Sequence, residues 1–200
     1  LDWLLYSKVA TVESTKINNQ GTYYFLQVSS IALFLNKTDL VREILQKTMQ
    51  EPSMSSFGDI PKLISVKILP DGRQPFELSR TKSLHYSLSN LLGLFKLASI
   101  GEHVGINLWN YKTVEGAGLR KALDYLIPYT SEDKAWPYEQ LEPFRKEFMA
   151  ELLCTASIKY NRDNNNQSYY SYYESLSPIE IPLDVDNYGY GICVADTSRQ

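Results

Sequence analysis

Asn18-Asn19-Gln20-Gly21-Thr22-Tyr23-Tyr24 carries a polar turn, with three carboxamides ahead of a glycine, straight into an apolar run that extends to Leu35. Within that run Tyr24, Phe25, Val28, Ile31, Ala32 and Leu35 recur at intervals of three and four residues, the period of a buried helix over residues 22–35. Asn36-Lys37-Thr38 breaks the pattern. Leu40, Val41, Ile44, Leu45 and Met49 then resume it with Thr38 as N-cap, so two helices joined by a short loop form a helical hairpin.

Residues 51–79 read differently. Four prolines, a serine-rich turn, the alternation Ile64, Val66, Ile68 and the turn signal Pro70-Asp71-Gly72 predict a long connection with a small strand pair. A helix follows over about 81–99, with Leu84, Leu88, Leu91, Leu92 and Phe95 on one face and Gly101 as its stop. At 100° per residue Arg80, Ser83, Tyr86, Ser87 and Asn90 gather on the other side. A solvated face is richer in Lys and Glu, so this stripe is expected to line a cleft.

Two more helices are expected, over 117–128 before Pro128 and over 143–160 from Pro143, the second burying Phe144, Phe148, Leu152 and Ile158. Helices predominate, which predicts an antiparallel all-α array occupying residues 1–160. Residues 161–200 form a polar Asn/Ser/Tyr-rich segment and tail without a core pattern. There the pairs Tyr169-Tyr170 and Tyr172-Tyr173 suit stacking on sugar rings, although packing against a neighbouring helix is the favoured reading.

At 200 residues the chain suffices for a sizeable core. A formal net charge of -3 and a pI near 5.5 provide no general attraction for nucleic acid or an anionic membrane, so neither is expected as a partner. No run reaches the roughly 20 apolar residues of a membrane span. Cys154 and Cys193 leave one disulfide or two thiols equally open. Asn36-Lys37-Thr38 and Asn166-Gln167-Ser168 are glycosylation sequons in expected loops, which suits a secreted, extracellular glycoprotein. No paired His or Cys stands at metal-ligand spacing, and Glu115-Gly116-Ala117-Gly118 lacks the lysine and preceding strand of a phosphate loop; no metal or other cofactor is expected.

The order Asp2-Trp3-Leu4, Ser7, Glu13, Asn18-Asn19-x-Gly21-Thr22 is followed by Asp71-Gly72-x-Gln74-Pro75-x-Glu77-Leu78-x-Arg80-Thr81-x-Ser83-x-x-Tyr86-Ser87-x-x-Asn90-Leu91. Gly101-Glu102-x-x-Gly105-x-x-Leu108-Trp109 and Leu119-Arg120-Lys121-Ala122-Leu123-Asp124-Tyr125-Leu126 continue it. Together these resemble the alginate lyase domain family of polysaccharide lyases over about residues 2–145. The resemblance implies an all-α fold, part of an α/α toroid (an incomplete helical barrel), here with a small irregular or short-strand insertion. It also implies an acidic polysaccharide, a polyuronate, as the partner. The chain opens on Leu1-Asp2-Trp3, in the middle of what resembles a family helix, so a signal peptide or further helices are expected ahead of it. The family pattern reads Asn-Asn-His-Gly, and Gln20 stands in place of the histidine.

β-Elimination on a uronic acid chain asks for three things: neutralise the carboxylate, remove the C5 proton, and protonate the leaving C4 oxygen. The resemblance gives the first task to Asn19 and Arg80, types suited to it as carboxamide donor and guanidinium; an ion pair with Glu77 is the plain alternative for Arg80. Tyr86 suits the other two, because a phenol with a pKa near ~10 can act as base when nearby cations favour its phenolate and then return the proton. Asn18, Gln20, Ser83 and Asn90 are the candidate substrate-binding residues. A carboxamide has no usable pKa, so Gln20 cannot act as base. Either Tyr86 performs both transfers, or the chain is a catalytically inactive carbohydrate-binding relative. One residue handling both protons requires C5–H and C4–O on the same ring side, which favours mannuronan or glucuronan over guluronan. His85 and His103 are expected as packed or surface histidines.

Overall fold

The computed structural model describes residues 1–53, 62–130, 134–160 and 169–176. Its described elements are helical, and contacts divide the chain into two compact units, residues 1–144 and residues 145–200. The Asn166 sequon, Cys193 and the tail beyond residue 176 lie outside the described residues.

The first unit opens with two short helices, α1 (Asp2–Tyr6) and α2 (Lys8–Ser14), which lead into α3 (Asn19–Phe34). Helix α3 begins three residues earlier than periodicity predicts, because Asn18 acts as N-cap and accepts a hydrogen bond from the Gln20 N–H at 3.1 Å. Gly21 therefore does not break the turn but sits in the first helical turn. A Cβ there would lie 1.9 Å from the Lys16 carbonyl oxygen, so only glycine lets the chain fold back so closely over the helix start. At the far end, Asn36 adopts φ 57°, and Lys37 N–H and Asn36 N–H bond the carbonyls of Ala32 and Leu33 at 2.8 and 2.9 Å. This double closure is the Schellman arrangement, and it places the exposed Asn36 in the turn before α4 (Thr38–Thr48).

Tyr24, Phe25, Val28 and Ala32 are buried as expected, but Ile31 and Leu35 are partly exposed. Helix α3 packs against α4 and α7 (Ser83–His103), whose stripe leaves Ile31 and Leu35 at its edge. Helix α4 buries Val41, Ile44 and Leu45, with Lys37 rather than Thr38 at the cap position.

The connection contains no strand pair among its described residues. Ile64 to Ile68, expected to alternate, starts instead with α5 (Ile64–Lys67), and α6 (Pro75–Leu78) follows with Pro75 in its first turn. A strand pair needs a partner run, and none is present among the described residues of the segment; Ile64, Lys67 and Ile68 all turn inward.

Helix α7 is the centre of the unit, buried on nearly every side along 21 residues. It runs through Gly101, expected as its stop, and ends at His103. Gly105, with φ 75°, makes the reversal, and Ile106 N–H bonds the Gly101 carbonyl at 2.9 Å. Helix α8 (Leu119–Leu126) then buries Leu119, Ala122, Leu123 and Leu126 before a 3-10 turn at Ile127–Tyr129.

In the second unit α9 (Lys146–Tyr160) buries Met149, Leu152, Leu153 and Cys154. Ile158, expected inside, is exposed. Cys154 is not a free thiol. Helix α10 (Tyr169–Ser175) packs on α9, and the Tyr169 ring meets that of Tyr160 at 6.0 Å between centroids. This is helix packing by Tyr169, the favoured reading of the first tyrosine pair.

Candidate active site

Three of the residues singled out from sequence meet at one place. Asn19, first residue of α3, and Arg80, in the turn between α6 and α7, are 61 positions apart, yet Arg80 Nη1 donates to Asn19 Oδ1 at 2.7 Å. The guanidinium carbon of Arg80 lies 3.3 Å from the centroid of the Tyr86 ring, so the cation is stacked on the phenol face. All three are partly accessible, with the Arg80 side chain 27% exposed.

The direction of the Asn19 carboxamide follows from this contact. An arginine has no acceptor, so the oxygen must face it, and the amide nitrogen is turned the other way as a donor. Arg80 in turn has a second tie, to Glu77 Oε2 at 3.3 Å, while Glu77 Oε1 accepts the Asn19 backbone N–H at 2.6 Å. The ion pair considered for Arg80 therefore exists and is part of the same cluster. Glu77 is 1% exposed, and burial raises its carboxyl above the usual range against the lowering effects of Arg80, the Asn19 amide and Lys67.

Asn18 and Gln20 flank the cluster at the mouth of α3. Gln20 is exposed, and its Oε1 accepts from Asn18 Nδ2 at 3.4 Å. Neither group transfers protons, and both present carboxamide atoms to solvent beside Asn19.

Ser83 and Asn90 do not belong to this surface. Asn90 is buried, donating to Gln74 Oε1 at 2.8 Å and accepting from Thr22 Oγ1 at 2.6 Å. Gln74 completes the chain by donating to the Ser87 carbonyl at 3.0 Å. Ser83 is also buried, its hydroxyl donating to the Glu139 carbonyl at 2.6 Å and accepting from Trp136 Nε1 at 2.7 Å. Their polar capacity is spent on holding α3, α6 and the 136–142 segment to α7. Burial accounts for the lack of Lys and Glu at Ser83, Ser87 and Asn90, while Arg80 and Tyr86 of the same stripe are partly accessible.

The start of α7 is capped from the same segment. Gln140 Oε1 accepts from Leu84 N–H at 2.9 Å, Leu141 N–H bonds the Thr81 carbonyl at 3.0 Å, and Lys82 pairs with Glu142. These ties fix the turn that carries Arg80 and the first helical turn that carries Tyr86. The His85 ring lies edge-on to Tyr86, 5.4 Å between centroids, as a packed neighbour. His103 closes α7 at the opposite end from the cluster.

Two charged residues beneath the cluster escape a reading of the sequence. Glu77 stood only as a partner for Arg80, and Lys67 lay within a run read as alternating, where a lysine belongs in solvent. Lys67 is 3% exposed, and its ammonium donates to the carbonyls of Ile17 and Asn18, each at 3.1 Å. Among the described residues no group of three or more His, Cys, Asp and Glu could hold a metal ion, and no helix is long and apolar enough to cross a membrane.

Residues 1–136 match the family described as alginate lyase. The chain is similar in structure to an alginate lyase from Bacteroides ovatus, with a TM-score of 0.75 and 28% sequence identity over 89% of this chain and 44% of that one. It thus spans less than half the length of that protein. The expected fold class, all-α and part of an α/α toroid, agrees with this match. No curated protein matches the chain.

Proposed function

The chain belongs to the alginate lyase family, and from that premise we propose that it acts as a polysaccharide lyase, cleaving a uronic acid polymer by β-elimination. The observation that carries the proposal is the convergence of Asn19, Arg80 and Tyr86 on one accessible spot above a buried polar base.

In this reading the uronate carboxylate is received by the Asn19 amide nitrogen and the Arg80 guanidinium. Both stabilise the charge that spreads onto the carboxylate as C5 loses its proton. Tyr86, acting as its phenolate, takes that proton and becomes the neutral phenol as the charge passes to the substrate. The guanidinium stacked on the same ring offsets the negative charge that the phenolate carries before the transfer. The same proton then passes from the Tyr86 phenol to the C4 oxygen as the C4–O bond breaks, leaving a C4–C5 double bond in the substrate and the Tyr86 phenolate restored for the next cycle. Asn18 and Gln20 bind substrate beside Asn19. A single residue serving both atoms needs C5–H and C4–O on one ring side, so mannuronan and glucuronan are substrates and guluronan is not.

An extracellular setting belongs to the same proposal. The exposed Asn36 of the first sequon and the absence of a free thiol at Cys154 support it.

Ultraviolet absorbance of the unsaturated product tests the reading. Mannuronan and glucuronan should yield product, guluronan none, and Tyr86→Phe should lower the rate by at least about 10²-fold. The exposed Gln20 in the histidine position favours a second reading, a non-catalytic sugar-binding relative. Binding of mannuronan without product would select it.

A further inference from the structure

One peptide group at the mouth of α3 is gripped from both ends. The carbonyl of Asn18 accepts the Lys67 ammonium at 3.1 Å, and the N–H on the other side of the same peptide bond, that of Asn19, donates to the Glu77 carboxylate at 2.6 Å. The dipole of the 18–19 peptide is thus laid between a buried cation on its oxygen and a buried anion on its hydrogen, which fixes the plane of the peptide. That plane sets where the Asn19 side chain leaves the backbone. The same lysine also holds the preceding carbonyl, that of Ile17, at 3.1 Å. The first helical hydrogen bond of α3, from Thr22 N–H to the Asn18 carbonyl, is long at 3.4 Å, in keeping with an acceptor shared with the ammonium.

We propose that Lys67 is a positioning residue of the active site, clamping the 18–19 peptide against Glu77 so that Asn19 meets Arg80 and the substrate carboxylate. This inference rests on the catalytic reading given above. A purely structural loop does not call for two charges at this depth, because burying each costs several kcal/mol that hydrogen bonds to carbonyls only partly offset. Burial lowers the ammonium to about 8, against an opposing effect of Glu77, the charged group facing it from α6. Its hydrogen-bond acceptors among the described residues, the carbonyls of Ile17 and Asn18, do not titrate. A charge retained at such a cost beside a cluster of reactive side chains marks a place where geometry is favoured over stability.

The test compares Lys67→Met and Lys67→Arg with the wild-type chain on mannuronan, with heteronuclear NMR of the Asn19 amide proton followed in parallel. Lys67→Met should stay folded and lose about 10²-fold in kcat with little change in KM, the cost of a displaced catalytic group. Lys67→Arg should recover much of that loss. It should also remove the alkaline limb of the wild-type kcat profile near pH 8, because a guanidinium keeps its proton there; a merely structural lysine would leave the profile unmoved. The Asn19 amide resonance, held downfield by Glu77, should shift upfield in Lys67→Met.

A folded Lys67→Met with wild-type kcat, profile and amide shift would overturn the inference while leaving the lyase reading intact. Should the wild type yield no product, the lyase reading fails alone, and the amide shift decides this one: moved by Lys67→Met, the clamp stands; unmoved, it falls. If Lys67→Met does not fold, the profile of Lys67→Arg and its amide shift decide in its place, and an unchanged alkaline limb in that variant overturns the inference.

Discussion

The mouth of α3 and the inner stripe of α7 are built from the same kinds of side chain, carboxamides and hydroxyls with few charges, yet one meets solvent and the other does not. At the mouth, Asn18 and Asn19 are partly accessible and Gln20 is exposed. Along the stripe, Ser83, Ser87 and Asn90 are sealed. The difference lies in what surrounds them. Asn90 finds Thr22 and Gln74 at hydrogen-bond distance, one on α3 and the other just ahead of α6, and Ser83 finds Glu139 and Trp136, so each is closed off by elements packed on α7. Among the described residues the Asn19 side chain finds one hydrogen-bond partner, Arg80, which is itself partly accessible. An uncharged polar side chain therefore marks either a binding surface or a bracing network. Which one it is depends on elements distant in sequence.

The contrast predicts different responses to substitution. Asn90→Ala strips Thr22 and Gln74 of a buried partner and should cost about 1–3 kcal/mol of stability, read as a lowered midpoint in urea, while the folded fraction keeps its wild-type KM. A raised KM at unchanged stability would return Asn90 to the substrate surface.

The buried ammonium of Lys67 gives a pH signature. Its folded pKa, about 8, lies below the 10.5 of the unfolded chain, so between these values the unfolded state binds more protons. Its penalty on folding is in full force below pH 8 and fades as pH rises toward 10.5. Wild-type stability should therefore gain on that of Lys67→Met by up to about 1.4 kcal/mol per pH unit in this window, measured by urea titrations at pH 7, 8, 9 and 10. Parallel stability profiles would mean that the lysine is not buried as a cation.

The smallest effect belongs to the cap. Asn18→Ala removes the acceptor for the Gln20 N–H and should lower stability by about 1 kcal/mol. Because Lys67 and Glu77 still hold the 18–19 peptide, kcat should change less than in Lys67→Met. The reverse order would place the control of Asn19 in the cap and not in the clamp.

Much of the helical frame was legible from periodicity, since α3, α4, α7, α8 and α9 each contain apolar residues at three- and four-residue spacing. The misses have local causes. Ile64, Val66 and Ile68 gave too short a pattern to separate a strand from one helical turn. Gly101 and Gly105 both follow the leucine-rich run, and only the backbone reveals that Gly105 carries the positive φ. Ile31, Leu35 and Ile158 fit the apolar period, but periodicity does not say where the neighbouring helix ends.

Within the site, Asn19, Arg80 and Tyr86 could be named together because separate motifs resembled one family. No local pattern links positions 61 residues apart. Lys67 was illegible: a lone lysine in an apolar run carries no sign of being buried, and its role appears only when α5 is seen beneath the mouth of α3.

The most direct test of the account is steady-state kinetics of Gln20→Ala beside Tyr86→Phe on mannuronan. The account predicts that Gln20→Ala keeps kcat within about threefold and raises KM, whereas Tyr86→Phe loses at least about 10²-fold in kcat. A Gln20→Ala variant as inactive as Tyr86→Phe, or a Tyr86→Phe variant turning over at the wild-type rate, would contradict it.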